Sequence, residues 1–193
     1  MVEGTQAGLS AHINGLVEVY ERYSTVLTPS ENDILGHMGL MHRLAARAVV
    51  VVELGTRHGH STAALLAGVT LSGGHVWSVD ISKQRVPEEF EGPYWTFIQG
   101  DSIEMAREVP DQIDLLLIDT VHSYPHTLRE LKTYLPKMAK GGIILLHDTE
   151  NKYPVDDREI PYPVMRAMQD FCAEYRLKYD HVSGSWGMGI VYV

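Results

Sequence analysis

The chain has 193 residues, 45% of them hydrophobic and 21% charged, a balance that suits one full-sized globular domain over residues 1–193. Its net charge of −9, with 16 scattered Lys and Arg, sets it against phosphate backbones, so nucleic acid is not an expected partner. No apolar run reaches the roughly 18 residues of a membrane span, the N-terminus MVEGTQAGLS has no secretory pattern, and Cys172 stands alone, so a cytoplasmic protein without disulfides or membrane contact is expected.

Residues 7–25 read as an amphipathic helix with Leu9, Ile13, Leu16, Val17 and Tyr20 on one face. Thr28, Pro29 and Glu31 form a helix-start signal, with Thr28 as N-cap and Glu31 closing a capping box, for a second helix running to about Arg47. These N-terminal helices, within 1–46, either cover the site or pair subunits in a homo-oligomer. The pattern from 48 onward alternates: strand 48–54, helix 59–68, strand 75–80, strand 95–99, short helix 101–108 and strand 113–118. Helix 124–139 follows, stopped by Gly141 and Gly142, and then strand 142–147. A polar, Tyr- and Pro-rich loop at 149–163 leads to helix 163–175, strand 177–183, the turn GSWG and strand 188–193. The expected fold is α/β: a doubly wound, Rossmann-like, mostly parallel seven-stranded sheet with an antiparallel C-terminal hairpin.

Five acids fall where five successive apolar strands end: Glu53, Asp80, Asp101, Asp119 and Asp148. Ligands of parallel α/β sheets bind outside the carboxyl ends of the strands, so the chemistry is expected at one acidic sheet edge. Singly, Asp80 and Asp101 also read as a turn and a helix cap; the joint pattern is what points to a site. After the first strand comes Glu53-Leu54-Gly55-Thr56-Arg57-His58-Gly59. A strand, a glycine turn and a helix start bring backbone N–H groups close to a ligand. Arg57 stands where a dinucleotide fingerprint needs its middle glycine, so a pyrophosphate does not fit there.

This Glu-x-Gly-x-x-x-Gly loop, with an acid ending the second strand, resembles the class I S-adenosylmethionine-dependent methyltransferases over roughly residues 48–193. The resemblance implies that Gly55, Thr56, Arg57, Gly59 and Ser61 wrap the methionine part of S-adenosylmethionine, with Glu53 close by. It implies that Asp80 accepts from the ribose hydroxyls with Ile81 beside it, and that Asp101 and Ser102 lie near the adenine. A carboxylate can accept both ribose O–H groups, and an acidic crevice favours a sulfonium cation.

The later segments IDTVHSY and KGGIILLHDT resemble a narrower group, the small O-methyltransferases related to macrolide-sugar methyltransferases and cephalosporin-hydroxylase-like proteins. By that resemblance Asp119 and Asp148 hold Mg2+ or another divalent cation, His122 is the general base, and Asp119 also borders the cofactor. His147 stands where catechol-type relatives carry a second acid, so a third oxygen ligand is unassigned; a His ligand would shift metal preference toward manganese, iron or zinc. The expected reaction is methyl transfer from S-adenosylmethionine to a hydroxyl of a small molecule, of sugar or phenol type. Two other readings fit the same residues: a metal-dependent oxygenase on this scaffold, and a cofactor-binding module without catalysis. His58 and His60, two apart in a turn, more naturally point in different directions than share a metal. Trp186 and the tyrosines Tyr153 and Tyr162 are candidates for substrate contact or for packing and plain surface.

Overall fold

The computed structural model describes residues 6–26, 34–84, 86–153 and 160–193. The capping signal at Thr28, Pro29 and Glu31 lies outside these residues. Helix α1 spans Gln6–Val26, and a 3-10 turn at Leu35–His37 leads into α2, Met38–Ala45. Then follow β1 (Val50–Leu54), α3 (His60–Ser72), β2 (His75–Asp80), β3 (Trp95–Gln99), β4 (Ile113–Ile118) and α4 (Tyr124–Tyr134). The chain closes with β5 (Met138–His147), α5 (Pro163–Tyr175), β6 (Lys178–Val182) and β7 (Met188–Tyr192). The seven strands form one sheet in the order β3-β2-β1-β4-β5-β7-β6. β1 to β5 run parallel, and β7 pairs antiparallel with both β5 and β6. This is the expected doubly wound sheet with its closing hairpin.

Strand side chains alternate between two cores. Val51, Leu115, Leu117 and Leu145 face α1, α2 and α3, while Val52, Leu54, Leu116, Ile118 and Leu146 face α4 and α5. α3 is buried almost all round, from Ser61 to Val69, because α1 and α2 cover the side that the sheet does not. Its sequence, HSTAALLAGVTLS, is apolar on every face for that reason. A side chain at Gly68 would run into Ala45 and the His42 carbonyl, so glycine there sets how closely α2 and α3 approach. α1 buries Leu16 and Val19 in the same core.

Several expected boundaries move. α3 continues to Ser72 and stops at Gly73, φ +72°, rather than at 68. The expected helix at 101–108 is a 3-10 turn at Glu104–Arg107. α4 ends at Tyr134, followed by a 3-10 turn containing Pro136, which cannot donate to a continuing helix. Gly141 and Gly142 therefore do not stop a helix. They lie inside β5, where Gly141 takes φ +84° and the register against β4 shifts between Ile113 and Leu115, a bulge that a glycine accommodates. Cys172 is buried and free, as its place on an apolar helix face implies.

Candidate active site

The glycine turn after β1 is tied to its neighbours by backbone bonds. Gly55 N–H donates to the Val79 carbonyl at 2.9 Å, and Asp119 N–H donates to the Leu54 carbonyl at 2.9 Å. Gly55 has φ +89°, and a Cβ there would collide with the Asp119 carbonyl, so no other residue fits. Asp80 Oδ2 accepts from the N–H groups of Thr56 at 2.8 Å and Arg57 at 3.1 Å, and its Oδ1 accepts from Ser82 N–H at 3.1 Å. Asp80 thus holds the turn as well as facing outward, and Oδ1 keeps an acceptor position for a ligand hydroxyl. Asp101 Oδ1 accepts from the N–H groups of Ile103 and Glu104, which caps the 3-10 turn.

Glu53 lies beneath the glycine turn. It is fully buried and accepts hydrogen bonds from Ser61 Oγ at 2.6 Å, Thr62 Oγ1 at 2.8 Å and Ser78 Oγ at 2.6 Å. Burial pushes its carboxyl up to about 7 against the pull of those three hydroxyls. Its work is to clamp the first turn of α3 onto β1 and β2.

The ends of β4 and β5 form a second cluster. Asp119, His122 and Asp148 bring donor atoms within 4.8 Å of one another. His122 Nε2 lies 2.9 Å from Asp119 Oδ1 and 3.2 Å from Asp148 Oδ2. Behind them, His147 Nδ1 lies 3.0 Å from Asp148 Oδ2 and 3.5 Å from Asp119 Oδ1. Burial opposes charge on Asp119, yet the hydrogen bond with His122 and the attraction of the two imidazoles hold its carboxyl well below the ordinary range. Burial likewise opposes charge on both histidines, but the carboxylates outweigh it, raising His122 and pushing His147 up to about 10. His122 and Asp148 both adopt left-handed backbone, φ +55° and +60°. Such conformations cost of order 1–3 kcal/mol each and cluster at functional sites.

A cleft of about 380 Å³ runs over these elements, a size that suits a small-molecule ligand. Among the residues expected at the site, Gly55, Arg57, Asp80, Ile81, Asp101, Ser102, Asp119, His122 and Asp148 line it; Glu53, Thr56, Gly59 and Ser61 lie outside its lining. Ile81 and Val121 face it while 74% and 55% exposed, two apolar surfaces that a flat ligand would cover. Thr120, Val121 and His126 were not anticipated. Beneath them Glu130, fully buried, accepts from Ser102 Oγ at 2.6 Å, Thr120 Oγ1 at 2.9 Å and His126 Nε2 at 3.1 Å. That hydrogen bond, ahead of the opposing burial, raises His126. The signal was present in the sequence: Glu130 shares the spacing of Thr127, Leu131 and Tyr134, the buried stripe of α4.

His58 and His60 do not share a metal position; their rings are tilted 6.3 Å apart, and His60 meets Tyr23 edge-on. Trp186 is half exposed, not core, and does not line the cleft. Tyr153 and Tyr162 are exposed. Among the described residues no helix is long and apolar enough to cross a membrane.

A family profile described as a methyltransferase domain matches residues 52–149, slightly over half of the chain. The chain belongs to this methyltransferase family. The matched span runs from β1 to the end of β5, and so carries the glycine turn, Asp80, Asp119, His122 and Asp148. No curated protein matches the chain. Among solved structures it is similar to the SAH-bound methyltransferase PaMTH1 of Podospora anserina, with 17% identity, TM-score 0.64 and coverage of 99% of this chain and 97% of that one. It is also similar to an O-methyltransferase from Bacillus cereus in complex with SAH, with 15% identity, TM-score 0.63 and coverage of 100% and 93%. A third is the MycE methyltransferase of the mycinamycin biosynthetic pathway, in complex with Mg, SAH and mycinamycin VI, with 17% identity and TM-score 0.66. There the match covers 92% of this chain and 54% of that one. The shared fold is that of a methyltransferase, and the oxygenase reading draws no support from these likenesses.

Proposed function

We propose that the protein transfers the methyl group of S-adenosylmethionine to a hydroxyl of a small molecule, with His122 as general base and a divalent cation held by Asp119 and Asp148. The observation that carries this reading is the convergence of Asp119, His122 and Asp148 on the same cleft that the Gly55 turn and Asp80 border. The cofactor suits this lining. Asp80 keeps an acceptor for ribose, Ile81 and Val121 offer apolar faces for a purine, and the acids at the strand ends favour a sulfonium. The SAH bound to all three of the similar folds and the Mg bound to MycE support the same reading.

Asp119 and Asp148 fit a divalent cation as hard oxygen donors. S-adenosylmethionine supplies an electrophilic methyl on a positive sulfur, and a divalent cation lowers the pKa of a hydroxyl beside it. This chain's residues do the rest. His122 would take the proton of the acceptor hydroxyl, while S-adenosylmethionine, when bound, would supply the methyl group and leave as a neutral thioether. Asp119 and Asp148, 2.9 and 3.2 Å from Nε2, stabilise the imidazolium so formed. The Gly55 turn and Asp80 fix where the cofactor lies, which is what an in-line displacement needs.

Calorimetric titration with S-adenosylhomocysteine, with and without magnesium, tests the reading. Micromolar binding supports the cofactor, and a hydroxylated acceptor panel then tests the reaction. Failure of a folded sample to bind under either condition would overturn it.

A further inference from the structure

His147 ends β5 with its side chain 1% exposed. Its Nε2 sits 2.8 Å from the Ser185 carbonyl. A carbonyl only accepts, so Nε2 carries a proton whether the ring is neutral or charged, and a cation would take the place of any proton on Nδ1. Nδ1 is then the atom turned toward Asp119 and Asp148. It is fully buried and has no hydrogen-bond partner, although the carboxylate oxygens stand 3.5 and 3.0 Å away. A buried ring nitrogen without a hydrogen bond is costly. One aimed at two converging carboxylates, with its other nitrogen held by a carbonyl, has the arrangement of a metal-ligating imidazole, in which the outer N–H is anchored and the inner nitrogen is presented.

We infer that His147 Nδ1 is the third protein ligand of the cation held by Asp119 and Asp148, and that this nitrogen turns the site from magnesium toward transition metals such as manganese. The inference rests on the metal-assisted reading above and deepens it. Magnesium wants oxygen donors; imidazole suits first-row transition metals. The two histidines divide the work by position. His147 approaches the carboxylates from the buried side, while the His122 side chain is 29% exposed and lines the cleft, where a substrate proton arrives. The anchor of His147 is itself held: Ser185 Oγ accepts from Gly36 N–H at 3.2 Å, and His37 Nε2 donates to the neighbouring Gly184 carbonyl at 2.9 Å. The segment leading into α2 therefore buttresses the β6–β7 turn that fixes the ligand.

The test uses the full chain stripped of metal with a chelator. Manganese and magnesium chlorides are titrated separately by calorimetry, and the manganese-loaded protein is examined by pulsed electron paramagnetic resonance for coupling to a directly bound nitrogen. Wild type is expected to bind manganese at least tenfold tighter than magnesium and to show the nitrogen coupling. His147→Asp, which offers oxygen instead, should cut that ratio at least fivefold and remove the coupling; His122→Asn should keep both. Coupling that survives His147→Asp and vanishes in His122→Asn would overturn the assignment, as would equal affinity for the two metals or binding of neither. Where His147→Asp does not fold, as circular dichroism shows, His147→Gln takes its place, and the wild-type and His122→Asn spectra still decide. Binding of S-adenosylhomocysteine is measured beside these. If it binds and the metal result fails, the ligand assignment alone falls; if it does not bind, the methyl-transfer reading falls.

Discussion

Glu53 and Asp119 end adjacent parallel strands of one sheet, yet they have become opposite kinds of acid. Glu53 is held by three hydroxyls, and burial pushes it up to about 7. Asp119 is flanked by two imidazoles and stays ionised well into acid. Hydroxyls satisfy a carboxylate without supplying charge, so Glu53 is a clamp between α3, β1 and β2. Imidazoles supply charge and can lose it, so the Asp119 and Asp148 cluster can trade protons for a cation. A strand-end acid is given its role by what folds against it.

The sharpest way to break this comparison is at the His122 cluster. His122→Ala should lower methyl transfer by roughly 10²–10⁴-fold, the usual worth of a general base, with S-adenosylhomocysteine affinity nearly unchanged; steady-state rates and calorimetry read the two quantities. Asp148→Ala should remove metal stimulation and leave cofactor binding within about threefold, since each lost kcal/mol is only about a fivefold change. Equal metal stimulation in that variant would dissolve the distinction between the two acids.

At the other acid the expected effect is on stability. Glu53→Gln should change the pH profile of unfolding. A carboxyl raised in the folded state favours folding most below its unfolded value of 4.5, and that contribution is lost as pH rises toward about 7. Wild type should therefore lose on the order of 3 kcal/mol relative to Glu53→Gln between pH 4.5 and pH 7, measured by denaturant unfolding at several pH values. A constant difference across that range would mean that the hydroxyls hold Glu53 ionised throughout. Gly55→Ala should cost roughly 2 kcal/mol or more, from its left-handed backbone and the collision with the Asp119 carbonyl, read as a lowered melting temperature. Smaller again, Asp80→Asn should weaken S-adenosylhomocysteine binding by about tenfold, the scale of one hydrogen bond to a charged group; unchanged affinity would confine Asp80 to holding the turn.

Much of this was legible in one dimension. Apolar runs punctuated by helical stretches determine a parallel sheet, and the acids and glycines at the run ends determine which edge carries the chemistry, because both signals are local in the chain. The glycine turn from Gly55 to Gly59 and the pairing of Asp119 with His122 are of this kind, four residues or fewer across. The stop at Gly141 misled because glycine after a helix and glycine in a strand bulge look alike until Pro136 and the β4 register decide between them. What the fold alone decided are the partners brought from far away. Ser78 reaches Glu53 across 25 residues, Ser102 reaches Glu130 across 28, and Ser185 reaches His147 across 38. Each of these hydrogen bonds sets whether a buried group is a clamp, a support or, for His147, the proposed metal ligand. No periodicity encodes them, because a side chain's protonation and role depend on the dielectric and the donors around it, and those exist only after the sheet has closed.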